Sequence, residues 1–125
     1  MAVEWINPKE IDGTVTFYDS NITLNKTASQ FFVDAYKVLV GIDKPRNQVV
    51  IKHINKEEAS RGDISKSNLL DVSIKTSYGR INSKKVVGEI SEVTGFNFTT
   101  NNNYKFKAKW QSADRILIVD LNEGV

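Results

Sequence analysis

Four basic residues, Lys75, Arg80, Lys84 and Lys85, follow one another with no acidic residue between them. Cations in such a strip suit phosphate, because side-chain donors and the free backbone N–H groups of a helix start hold its oxygens together. The surroundings carry the same sign. Residues 75–109 hold seven Lys/Arg against two Asp/Glu, whereas residues 1–74 hold nine against ten and residues 110–125 one against three. A net charge of only +2 therefore hides a local basic excess. Lys84 and Lys85 fall where a helix is expected to start, and cations there oppose the helix macrodipole at a cost on the order of a few tenths of a kcal/mol each. An unfavourable local choice points to a purpose, although two lysines also serve simply to solvate a short helix. A second row, Lys105, Lys107 and Lys109, alternates with apolar residues. It reads equally as an anion contact and as a guard against edge-to-edge strand pairing. Lys44 and Arg46, on either side of Pro45, form a third basic candidate.

Little else in the chain could carry chemistry. His53 is the single histidine, in an alternating stretch with no acidic neighbour at ligand spacing. It is expected to face solvent or a polar partner rather than to catalyse. No G-x-S-x-G, Walker loop, G-x-G-x-x-G or H-E-x-x-H occurs. With no cysteine there is no disulfide framework and no thiolate metal site. Glu57, Glu58 and Asp63 read as solvated carboxylates of a polar linker, and Arg61-Gly62-Asp63 as a chance tripeptide. The reading is a non-enzyme without cofactor or metal. No apolar run approaches the ~20 residues that span a bilayer. The first residues, MAVEWINPKE, lack the basic and apolar regions of a secretory signal. A cytoplasmic protein is expected.

The elements that must position these residues are written twice. VTFYDSNITLN, KTASQFFVDA, YKVLVGID and VVIKHIN answer to VSIKTSYGRIN, SKKVVGEISEVTG, YKFKAKWQ and ILIVDLN. Val15 to Val72 and Leu24 to Ile81 are both 57 positions apart, and Val49 to Ile116 and Ile54 to Leu121 both 67. A fixed internal period sets architecture before any single motif does. One domain over residues 1–125 is expected, with repeats at 15–55 and 72–122 and a polar linker at 56–68 with room for one helical turn. Each repeat reads as β-β-α-β-β, so the fold class is mixed α/β and β-rich.

Residues 1–13 read as an arm with Pro8, ending in the turn Asp12-Gly13. Asn25 is the expected N-cap of a helix with an apolar stripe of Ala28, Phe31, Phe32 and Ala35, and Thr27 is a rival start. Tyr36, Val38, Val40 and Ile42 then share one strand face, and Val49–Ile54 returns after a turn. In the second repeat Leu70–Lys75 is an expected strand. Asn82 or Ser83 caps a helix whose face is Val86, Ile90 and Val93, and Gly95 suits the left-handed position past its end. Tyr104, Phe106, Ala108 and Trp110 alternate with lysine, and Ile116–Leu121 reads as a central strand. Phe31, Phe32, Tyr36 and Val38 should meet Ile90, Val93, Tyr104 and Phe106 in one core, with Trp110 largely buried.

This duplicated strand–turn–strand–helix–hairpin resembles the MraZ branch of the AbrB-like, swapped-hairpin transcription factors. Gly79-Arg80-Ile81 stands where that family's Gly-Arg-Ile-type strand would, and Ser20-Asn21-Ile22-Thr23-Leu24 takes that place in the first copy. The chain departs from the family at its helix starts, with Asn25-Lys26 and Ser83-Lys84 instead of proline. The resemblance covers Val15 to Leu121. It implies a pseudo-twofold, swapped-hairpin-like barrel in which the two copies pair with each other. It also implies a regulator of transcription that contacts double-stranded DNA phosphates through Lys75, Arg80, Lys84 and Lys85, with Lys44 and Arg46. The alternative is a non-enzymatic interaction or assembly module on the same scaffold, with a protein partner or a further copy of itself.

Overall fold

The computed structural model describes residues 2–3 and 13–125. The expected arm with Pro8 and Asp12 lies outside the described residues. Those described form eight strands in one antiparallel sheet, together with three short helices.

The first repeat opens with β1 (Gly13–Phe17) and β2 (Asn21–Asn25), closed by the Tyr18 N–H donating to Asn21 O at 2.9 Å. Val15 faces Leu24 and Phe17 faces Ile22, and all four are fully buried. Asn25 caps α1 (Lys26–Ser29): its side-chain oxygen accepts from the Ala28 N–H at 2.9 Å and from the Thr14 N–H at 3.1 Å. The chain then tightens into a single 3₁₀ turn, Gln30–Phe32. Of the expected stripe, Ala28 and Phe32 are fully buried, while Phe31 and Ala35 only pack against the core's side. β3 (Lys37–Asp43) and β4 (Gln48–Ile54) complete the repeat.

The polar linker holds a helical turn, as expected. It carries α2 (Lys56–Ser60) and a 3₁₀ turn at Lys66–Asn68. A capping box starts α2, with Glu58 N–H donating to Asn55 Oδ1 at 2.8 Å and Asn55 N–H to Glu58 Oε1 at 3.0 Å.

In the second repeat the expected strand Leu70–Lys75 shrinks to β5 (Ser73–Ile74). Leu70 is taken by another partner. Val38 N–H donates to Leu70 O and Leu70 N–H to Val38 O, each at 2.9 Å. β6 (Tyr78–Asn82), α3 (Lys84–Thr94), β7 (Tyr104–Gln111) and β8 (Ile116–Gly124) follow. Ser83 caps α3 by accepting from the Val86 N–H at 3.2 Å, and Gly95 ends it at φ 82°.

The strand order is β3-β4-β8-β7-β1-β2-β6-β5. The sheet is a curled half-barrel whose two edges meet at the Val38–Leu70 bridge. One hydrophobic core fills its concave side, built on Phe17, Ile22, Phe32, Ile51, Ile81 and Leu117. Two expected core members, Tyr36 and Val93, stand apart from it, and Trp110 packs against it without being fully buried. Tyr36 is 48% exposed because it precedes the first residue of β3 and lies outside the sheet's cover. Val93 is 46% exposed at the end of α3, past the turn where Val87 and Ile90 reach the core. Trp110 is half-buried: it stacks on Phe31 at 4.7 Å and meets Phe32 edge-on at 5.5 Å. On β8, Leu117 and Val119 face the core, so Leu117, not Ile116, occupies the face that Val49 occupies on β4. A slip of one residue exchanges the two faces of a strand.

Candidate nucleic-acid interface

Arg80 lies at the middle of β6, between Gly79 and Ile81 whose side faces the core. Alternation therefore sends Tyr78, Arg80 and Asn82 to the convex face. Pairing then carries that face across the sheet. Arg80 is opposite Ser73 on one side and Thr23 on the other, Thr23 is opposite Thr16, and Thr16 is opposite Lys105. These five residues form one transverse row over β5, β6, β2, β1 and β7. With strands about 4.8 Å apart, Arg80 and Lys105 are about 14 Å apart along the sheet. Sequence reasoning held the Arg80 strip and the lysine row apart; topology joins them.

The other candidates are distributed around this row. Lys75 opens the β5–β6 turn, with Tyr78 O accepting from its N–H at 2.7 Å. Lys84 begins α3 just past the opposite end of β6, so Lys75 and Lys84 flank in sequence the strand that carries Arg80. Lys85 departs from them. It lines a groove of about 530 Å³ with Leu39, Val50, Lys52, Val86 and Glu89. Lys44 and Arg46 sit in the β3–β4 turn, beside β8, where the Asn47 carbonyl accepts from the Leu121 N–H at 3.1 Å. No strand pairing joins that turn to the Arg80 row, and Arg46 is paired with Asp43 at 3.4 Å. The structure does not bring Lys44 and Arg46 to the Arg80 row.

Electrostatics separates the two groups of cations. Lys37, Arg46, Arg61 and Arg115 have carboxylate partners in Asp71, Asp43, Glu57 and Glu58. Among the described residues, none of Lys75, Arg80, Lys84, Lys85, Lys105, Lys107 and Lys109 makes an ion pair. Lys107 and Lys109 do share a hollow with Asp120 and Glu123, so charge is mixed at that flank. β7 is hydrogen-bonded to β8 and β1 on its two sides. It is not an edge strand, and its lysines do not guard one.

Beside Arg80 the convex face has a hollow of about 440 Å³ lined by Tyr18, Asn21, Thr23, Tyr78 and Arg80. Among the described residues no carboxylate lines it. The Arg80 guanidinium lies 5.2 Å from the centre of the Tyr78 ring, and Thr23 Oγ1 donates to Asn21 Oδ1 at 2.7 Å. Tyr18 is 37% exposed. Sequence analysis singled out neither Tyr18 nor Tyr78. The usable signal was period two through Tyr78, Arg80 and Asn82.

His53 lies elsewhere and is only 6% exposed. Its Nε2 is 3.1 Å from Asp34 Oδ1, its Nδ1 is 3.4 Å from an Arg115 nitrogen, and Arg115 also pairs with Glu58. The His53 bond holds the Asp34 carboxyl below its usual range. Glu58 is likewise lowered, first by the Asn55 N–H bond and then by Arg115. Among the described residues no nucleophile completes this chain, which ties β4 and the β7–β8 turn to α2. Asp34 is distant from His53 in sequence, and no local pattern could have revealed it. Among the described residues no cluster suits a metal ion, and no helix is long and apolar enough to cross a membrane. No family model matches the chain, and neither curated proteins nor solved structures include a match.

Proposed function

We propose that this chain is a small cytoplasmic DNA-binding regulator that lays the convex face of β7, β1, β2 and β6 against the phosphate backbone. The observation that carries this reading is the transverse row in which Arg80 and Lys105, both without an ion-pair partner among the described residues, flank Thr23 and Thr16. Hydroxyls between cations suit phosphate oxygens, and Lys75 and Lys84 extend the row along β6. Phosphate contacts position a protein without specifying sequence, so affinity is expected to be strongly salt-dependent.

The fold element of the proposal is an internal duplication closed as a swapped-hairpin barrel. Exchanging β1 with β5, β2 with β6, β3 with β7 and β4 with β8 returns the same cyclic strand order, once the Val38–Leu70 bridge counts as the β3–β5 contact. The pair Thr16–Thr23 becomes Ser73–Arg80 under the 57-residue interval, and both are observed pairs. Thr23 and Arg80 are then equivalents that pair with each other, so the proposed site straddles the local dyad.

A second reading rests on a different observation. Beyond Val38, β3 has no strand on its outer side among the described residues, and the groove of Leu39, Val50 and Val86 lies beside it. A protein partner could add a strand there, as the interaction-module alternative requires. Titration of labelled DNA at low and moderate salt separates the two. Arg80→Gln and Lys105→Gln should each weaken binding and lower the slope of log affinity against log salt by about 0.7–0.9. Absence of binding at low salt would falsify the DNA reading in favour of the interaction module.

A further inference from the structure

We infer that the hollow between Tyr18 and Tyr78 takes unpaired bases, so that the preferred ligand is single-stranded DNA. This deepens the DNA-binding reading and rests on it. Tyr18 is tied to one end of β2 through Asn21, whose carbonyl accepts from the Tyr18 N–H at 2.9 Å. Tyr78 is opposite Asn25, at the other end of β2. Four residues of strand separate these ends, about 13 Å. Thr23 and Arg80 stand between them on the same face. Two rings on an open sheet, with the Arg80 guanidinium 5.2 Å from the Tyr78 ring centre, match a strand that stacks two bases on the rings and lays the backbone between them on Arg80.

A duplex cannot use this arrangement. Its base faces are stacked on one another, and only base edges and backbone reach a protein surface. Stacking on Tyr18 and Tyr78 is therefore open only to bases already out of the helix. Asn21 offers an amide for a base edge, and among the described residues the hollow has no carboxylate to repel a backbone. The unpaired Lys105 lies three strands from Arg80 along the same row, where the continuing strand would pass.

The test compares a labelled mixed-sequence 15-nucleotide strand with the duplex of the same sequence, by fluorescence anisotropy at low salt. Wild type should bind the single strand at least tenfold more tightly. Tyr18→Ala and Tyr78→Ala should each weaken single-strand binding about tenfold and leave duplex binding within twofold. Tyr78→Phe, which keeps the ring, should retain single-strand affinity, and thermal melts of all variants check folding. Equal affinity for both forms overturns this inference while leaving DNA binding standing. So does a Tyr78→Ala loss that is equal on both forms, which would make Tyr78 only a support for Arg80. Binding to neither form overturns the DNA reading itself, and this inference with it.

Discussion

A Cβ built on Gly79 would lie 2.8 Å from Ile74 Cδ1 and 3.1 Å from Ser29 Cβ. The glycine of the Gly-Arg-Ile stretch is thus needed for close approach of β6 to α1, while its arginine faces outward and its isoleucine is fully buried. Three consecutive residues serve three surroundings because alternation and close packing act on each separately. Gly79→Ala is expected to destabilise the protein by about 1–3 kcal/mol through overpacking. Gly88 gives the contrast, since it sits inside α3 with nothing within 4 Å of a built Cβ. Gly88→Ala should stabilise by about 0.5–1 kcal/mol, because it removes backbone freedom from the unfolded chain. Urea melts of both variants measure the two effects, and equal signs would contradict this account.

At the scale of elements, the parts legible in sequence are those governed by neighbours. Asn25 and Ser83 cap helices through the N–H three residues on, and Gly95 ends α3 in the left-handed region. Alternation in Tyr104–Trp110 placed Phe106 and Ala108 inside and the lysines outside. The same reasoning misjudged element ends. It placed Tyr36 and Val93 in the core, where strand and helix ends leave them exposed. It also extended the fifth strand to Leu70, which is instead drawn to Val38. Residues 56–68 read as a polar linker with room for one helical turn, and the Asn55–Glu58 capping box builds α2 there. Asn55→Ala should cost about 1 kcal/mol, read as a lowered midpoint in thermal denaturation. Asn55→Ser should restore most of it, because serine also caps.

For the whole molecule, acid sensitivity follows from the network that joins α2, β4 and the β7–β8 turn. Asp34 and Glu58 both have carboxyls lowered in the folded state. The unfolded chain takes up their protons first, so their stabilisation is complete above the ordinary carboxylate range near pH 4 and is lost as pH falls through it. The melting temperature should therefore drop on acidification below about pH 4.5, and the drop should be shallower in the Asp34→Asn, Glu58→Gln double variant. An unchanged pH profile in that variant would remove these carboxylates from the account. The amino-acid sequence alone determined the β-rich class, the hairpins, the caps and the outward run of lysines, because each depends on periodicity or on neighbours within a few residues. Only the tertiary structure decided that Arg80 and Lys105 share one row, that Tyr18 and Tyr78 flank one hollow, and that Asp34 meets His53. Those meetings depend on which strands become neighbours as the sheet curls, and strand order is set by the shared core rather than by any local pattern.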